Sequence, residues 1–219
     1  MKNIILIAPP GAGKGTQASM LVEKLNMLHI SIGDLLRNEV NKQTELGKSL
    51  EVRMQTGKLV DDEIIFEVLK SYLKDADLSK GIIFDGFPRN ISQARMLDSL
   101  DIQIDSAIYL DVPKSVLESR ILGRKTCPNC KTGYNSNFEN MKPKVEDICD
   151  KCGSKLITRQ DDTKDVFENR YETYINETQP VLEFYKNKQI LFNIKSLDKD
   201  EIFNNIIKII DNTLPLEGI

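Results

Sequence analysis

Ile4-Ile5-Leu6-Ile7-Ala8-Pro9-Pro10-Gly11-Ala12-Gly13-Lys14-Gly15-Thr16-Gln17 joins four consecutive apolar residues to a glycine-rich turn, beyond which Ala18, Leu21, Val22 and Leu25 recur at helical spacing. The pattern predicts a strand, a turn and a helix. In that arrangement successive backbone N–H groups converge on a phosphate, the positive end of the helix faces it, and a lysine reaches the outer phosphates. Gly11, Ala12, Gly13, Lys14, Gly15 and Thr16 are therefore expected to cradle the phosphates of a nucleoside triphosphate. The match to G-x-x-x-x-G-K-[ST] has two departures: Ala8 stands where the first glycine belongs, and Gly15 separates Lys14 from Thr16. If Ala8 needed a left-handed backbone, the turn would carry ~1 to 2 kcal/mol of strain.

The 219 residues are 40% hydrophobic, enough for one well-buried core with an insertion or two. No apolar run approaches the ~18 residues of a membrane span, and Met1-Lys2-Asn3 leads straight into the first strand, so a soluble, cytoplasmic protein is expected. The net charge of -3 argues against a nucleic-acid coat protein. The segment from Arg124 to Arg159 departs from that balance: eight Lys or Arg against four Asp or Glu leave it at +4. A basic segment on an acidic chain calls for an anionic partner or a bound metal.

All four cysteines lie in that segment, as Cys127-Pro128-Asn129-Cys130 and Cys149-Asp150-Lys151-Cys152 with eighteen residues between the pairs. The spacing fits a zinc site in which two C-x-x-C turns aim four thiolates at one point and leave no position for water. Such a metal is structural, and it folds a segment too poor in large apolar residues to build its own core. Two disulfides or a redox pair are the other readings of the same spacing. A reducing compartment disfavours the first, and the second needs no second copy of the motif.

Further apolar runs at Ile82-Ile83-Phe84, Ala107 to Val112 and Ile190 to Ile194 read as buried parallel strands. Helical patterns fall between them: Ile64, Ile65, Val68, Leu69, Tyr72 and Leu73 after Asp61 and Asp62, then Val116, Leu117 and Ile121 after Pro113, and Ile202 to Ile210 near the C-terminus. The alternation predicts a three-layer α/β fold with ligands beyond the carboxyl ends of the strands. Ser31 to Val60 and the cysteine segment break it. There is no internal repeat.

Two clusters follow predicted strand ends: Ser31-Ile32-Gly33-Asp34-Leu35-Leu36-Arg37 with Gly57-Lys58-Leu59-Val60-Asp61, and Asp85-Gly86-Phe87-Pro88-Arg89 with Gln93. With Gly13-Lys14-Gly15-Thr16-Gln17 and Thr158-Arg159-Gln160-Asp161-Asp162, the chain resembles the adenylate kinase family in its long form with a zinc-bearing lid, over essentially its whole length. The resemblance implies a P-loop core with a central parallel five-stranded sheet (1–30, 61–122 and 161–219), a helical AMP-binding insertion (31–60) and a zinc-bearing lid (123–160). It implies reversible, Mg²⁺-dependent phosphoryl transfer from ATP to AMP giving two ADP. A monomer acting on ATP, AMP and ADP, with no nucleic-acid or membrane partner, is expected.

Arginines suit such chemistry because their planar forks grip phosphate oxygens bidentately and stay charged. By the resemblance, Arg37 and Arg89 hold the acceptor phosphate, Arg124, Arg159 and Arg170 approach the transferred group, and Lys14 completes the cage. Arg159 and Arg170 also reach AMP. Ile32, Lys58, Leu59, Val60, Gly86, Phe87, Pro88 and Gln93 complete the AMP site, with Gln93 reading the adenine edge. Gly133, Tyr134 and Asp198 lie near the ATP base. Asp85 holds Mg²⁺ waters or caps its turn; Asp161 and Asp162 pin a closed lid or cap the next helix. Ile32 stands where the family usually has Thr, which removes a hydroxyl contact worth ~0.5 to 1.5 kcal/mol. His29, the one histidine, reads as structural. Two competing readings are a kinase for CMP, UMP or GMP and, in a different class, a zinc-ribbon nucleic-acid-binding ATPase.

Overall fold

A computed structural model of the protein describes residues 2–42, 45–56 and 60–212. In chain order the elements are β1 (Ile4–Ile7), α1 (Lys14–Leu25), β2 (Leu28–Ser31), α2 (Ile32–Asn41), α3 (Glu45–Thr56), α4 (Asp62–Lys74), β3 (Ile82–Asp85), α5 (Ile91–Asp98), β4 (Ser106–Leu110) and α6 (Lys114–Leu122). A short hairpin, β5 (Arg124–Thr126) and β6 (Gly133–Asn135), precedes α7 (Lys164–Thr173), α8 (Pro180–Asn187), β7 (Leu191–Ile194) and α9 (Lys199–Ile210). Five strands form one parallel sheet in the order β2-β3-β1-β4-β7, the three-layer α/β core that the alternation predicts.

β1 lies in the middle of the sheet, with Ile4 opposite Ile83 on one side and Ser106 on the other. Its side chains alternate between faces, so a strand covered on both sides must be apolar throughout. Ile4 and Leu6 pack with Ala18, Leu21, Leu117 and Ile206; Ile5 and Ile7 pack with Leu69, Leu97, Val181 and Tyr185. The helices after the neighbouring strands β1 and β3 therefore cover opposite faces, α1 on the first and α5 on the second. Between their carboxyl ends a crevice opens, where α/β sheets bind ligands. Ala8 is not among the residues of positive φ, so the anticipated strain does not arise; Gly11 and Gly13, at φ 85 and 100, take the left-handed positions instead.

The segments that break the alternation are helical over α2 and α3, and a small cysteine-rich unit around β5 and β6. The latter is tied to the end of α6 by donors that take up its last carbonyls: Asn135 Nδ2 donates to Arg120 O at 2.7 Å, Asn137 Nδ2 to Ser119 O at 2.9 Å, and the backbone N–H of Ser136 to Gly123 O at 2.8 Å. Among the described residues, no helix is long and apolar enough to cross a membrane. At Gly123 a Cβ would stand 2.3 Å from Asn135 Oδ1. Gly123→Ala should therefore destabilise the protein by about 1 to 3 kcal/mol, read as a melting temperature several degrees below wild type; an unchanged melt would contradict this packing.

Candidate functional site

The strand-to-helix turn after β1 ends at Gly13, which caps α1 without a side-chain hydrogen bond. Four helices begin on a side chain that accepts from the first turn, Ser31 for α2, Asn90 for α5, Thr163 for α7 and Asp198 for α9; α1 does not. An N-terminus without such a cap keeps its N–H groups free for an anion. Gly11 is needed for packing as well as for φ, because a Cβ would lie 2.9 Å from Leu117 O. Lys14 curls back across the turn and donates to Ala8 O at 2.9 Å. Burial, followed by the charges of Arg89, Arg170 and Arg124, lowers its pKa to about 8, against the opposing pull of Asp85.

Asp85 ends β3, next to the turn: its Oδ2 is 3.8 Å from where a Cβ on Gly15 would stand. Burial alone would favour the neutral acid, but the hydrogen bond from His29 Nε2 at 3.3 Å and the charges of Lys14 and Arg89 hold its pKa below the usual value. An ionised carboxylate facing a phosphate loop suits a Mg²⁺ ion that keeps most of its water. His29, read from sequence as structural, is thus the partner that orients Asp85.

A pocket opens beside Lys14. Its wall is apolar where α2 and α4 meet, at Ile32, Leu36, Val60 and Ile65, and cationic at Arg37, Arg89 and Arg170. Gly86, at φ 78, leaves room for the Arg89 guanidinium, whose nearest nitrogen would lie 2.9 Å from a Cβ there. Burial and then Arg170 lower the Arg89 pKa to about 10. Burial, Arg124 and Arg37 bring Arg159 to about 10 as well. Asp34 accepts from Arg37 Nη2 at 2.6 Å. Asp161 accepts from Arg170 Nη1 at 2.9 Å, and Asp162, its side chain fully buried, takes Arg124 in a bidentate pair. Since Thr163 caps α7, neither aspartate serves as the N-cap; both hold arginines.

The four cysteine sulfurs lie within 4.8 Å of one another, with three pairs at 3.4 to 3.5 Å. None is bonded to another, and all four converge on one point instead of forming two separate pairs. A tetrahedron with Zn–S of ~2.3 Å has edges of roughly 3.8 Å, so the donor set fits zinc. The two knuckles repeat one another. Cys127 N–H donates to Thr132 O and Cys149 N–H to Ser154 O, both at 2.9 Å, and Lys131 and Gly153 occupy equivalent positive-φ positions. This unit lies over the start of α1: a Cβ on Gly133 would stand 3.9 Å from Thr16 Oγ1, and Lys151 pairs with Glu23 at 3.1 Å.

Three expected contacts are placed differently. Tyr134 is buried, with its hydroxyl accepting from Asp150 N–H at 2.7 Å and lying 3.5 Å from Cys149 Sγ, so it supports the cysteine cluster. Asp198 Oδ1 accepts from Asp200 and Glu201 N–H as the N-cap of α9. Gln93 is fully buried; its Oε1 accepts from Arg89 N–H at 2.7 Å and its Nε2 donates to Asp62 at 2.8 Å, so reading a base would require it to exchange these partners. Phe87 is buried in the core beside the pocket-lining Pro88. Lys58 and Leu59 lie outside the described residues. Sequence reasoning missed Arg120, which donates to Ala12 O and Leu197 O and ties the loop before α9 to the phosphate turn. No motif marked it.

A bound polyphosphate would restore the full charge on Lys14. Binding near pH 9 should then take up close to one proton, seen as buffer-dependent enthalpy in titration calorimetry, and the uptake should vanish in Lys14→Met; equal enthalpies in buffers of different ionisation heat would contradict it.

Comparison with known proteins agrees with this geometry. The sequence model of the family described as adenylate kinase matches residues 6–190. The chain is 41% identical over 213 residues to an adenylate kinase of Clostridium tetani, covering 95% of this chain and 98% of that one. It is 42% identical over 215 residues to adenylate kinases of Staphylococcus epidermidis and Staphylococcus aureus, covering 96% of this chain and 99% of each. With the parallel sheet, the phosphate turn and the converging arginines, these matches make the chain a member of the adenylate kinase family, the nucleoside monophosphate kinases that transfer a phosphoryl group between ATP and AMP.

Proposed function

We propose that ATP seats its phosphates on the N–H groups from Gly11 to Thr16, while AMP enters the pocket bounded by Ile32, Arg37, Val60 and Gly86 to Arg89. Gln93, Lys58 and Leu59 would complete the AMP site, and the backbone at Gly133 and Tyr134 would close over the donor. An AMP phosphate oxygen attacks the γ-phosphorus in line, the β–γ bridging bond breaks, and ADP leaves from each side. The carrying observation is the meeting of Lys14, Arg37, Arg89, Arg124, Arg159 and Arg170 around one crevice, several with pKa values depressed first by burial and then by one another's charge. A cage of that kind is stabilised by polyphosphate and offsets the charge that would repel one nucleotide from the other.

Adenylate kinases use Mg²⁺ with ATP. In this chain Asp85 would hold its waters, with His29 keeping the carboxylate oriented; the ion neutralises charge on the transferring group. Zinc at Cys127, Cys130, Cys149 and Cys152 would be structural. A reducing, cytoplasmic setting would keep these thiols available to the metal. Lys125, Lys142 and Lys151 are paired with Asp147, Glu139 and Glu23, whereas Arg159 is close enough to feel the charges of Arg124 and Arg37; a cluster of arginines beside the acceptor pocket suits a nucleotide phosphate as its anion. Residues 31–60 and 123–160 would act as flaps on the core formed by 1–30, 61–122 and 161–219 of a monomer. Their closure excludes water and so protects ATP from hydrolysis.

The test is ATP plus AMP turnover with zinc assayed in the same sample. Arg170→Met should lower kcat by roughly 10³-fold with little change in the melting temperature. Loss of fold instead of turnover would sink this assignment. Chelation of the metal should speed amide exchange across 127–152 before it affects the core strands; uniform exchange would show that the metal does not hold that segment.

A further inference from the structure

Arg89 sits in the irregular stretch between β3 and α5, where no ladder or helix orders the backbone. Three hydrogen bonds fix it. Its N–H donates to Gln93 Oε1 at 2.7 Å, its Nε donates to Gly86 O at 2.8 Å, and its carbonyl accepts from Thr178 Oγ1 at 2.7 Å. The first two partners are local, Gly86 from the loop after β3 and Gln93 from the first turn of α5. Thr178 comes from the far side of the pocket, eighty-nine residues along the chain.

Thr178 ends a widened helical turn, Tyr174–Thr178, that joins α7 to α8. The turn closes through Gln179 N–H to Tyr174 O at 2.8 Å, a bond spanning five residues instead of four. Pro180 gives the reason: it has no N–H, and its ring cannot approach the carbonyl four residues earlier, so a regular helix cannot run through this point. The extra residue shifts the helix face at Thr178, which is buried and lines the same pocket as Arg89, Arg170 and Tyr174. The helix that delivers Thr178 also carries Arg170, held by Asp161.

On the reading that Arg89 grips the acceptor phosphate, we infer that Thr178 is a positioning residue for Arg89. Its hydroxyl clamps the Arg89 carbonyl to the α7–α8 unit, so that Arg89 and Arg170 move as one body and meet the same phosphoryl group in register. A phosphate-binding guanidinium works only when its supporting contacts hold it close to the productive geometry.

Thr178→Val and Thr178→Ala both delete the hydroxyl, one keeping the volume and one not. Each should lower kcat roughly tenfold while leaving the affinity of free enzyme for ATP within about twofold, and Thr178→Ser should restore turnover. In an Arg89→Met background, Thr178→Val should cost less than about twofold more, since its effect runs through Arg89. Amide exchange over residues 86–90 should quicken in Thr178→Val and not in Thr178→Ser. Wild-type kcat in the Val and Ala variants, an equal loss in Ser, an undiminished loss in the Arg89→Met background, or unchanged exchange over 86–90 would each overturn the inference. Exchange does not depend on turnover, so a wild-type enzyme inactive on ATP plus AMP would refute the functional reading separately.

Discussion

Mutual repulsion among buried cations is the constraint on which this site depends. Lys14, Arg89, Arg159 and Arg170 all have lowered pKa values, burial being the largest cause and neighbouring arginines contributing in every case. A protein interior tolerates such a cluster only when carboxylates or ligands offset it. Asp85, Asp161, Asp162 and Asp34 do so in part. The remainder is a standing demand for negative charge, and a pair of nucleotides placed end to end supplies it.

The same demand links chemistry to motion. Two of the arginines hang on aspartates at the junction between the cysteine unit and α7, and the cysteine unit itself reaches α1 through Lys151 and Glu23. Exposed pairs such as Lys151 and Glu23 are weak, so the position of this unit over the phosphate turn rests on what lies between them. On the proposed function, bound phosphate would draw these arginines inward, since it supplies the charge they lack.

Much of the core was legible because its signals are local. The apolar run of β1 continues into Gly11, Gly13 and Lys14 without interruption, and strands buried on both faces must read as such runs. The cysteine site was legible because each knuckle places two ligands within four residues. What the sequence concealed are groups whose partners are remote. The support that Tyr134 gives the cysteines could not be read from the sequence, because Cys149 and Asp150, which surround its hydroxyl, are fifteen and sixteen residues away. Asp198 looked like a ligand, but a carboxylate just before a helix satisfies its first N–H groups. His29 and Asp85 are fifty-six residues apart, and strand register alone brings β2 beside β3. Gln93 was expected to face a nucleotide, yet Asp62, thirty-one residues away, takes its amide.

The most direct test of the cationic cage uses an anion without a base: inorganic tripolyphosphate at low ionic strength, with thermal unfolding as the readout. The account predicts a melting temperature that rises with ligand concentration as linkage requires, with most of the gain lost in Lys14→Met and in Arg170→Met. A melting temperature indifferent to tripolyphosphate, or an equal gain in all three proteins, would contradict it.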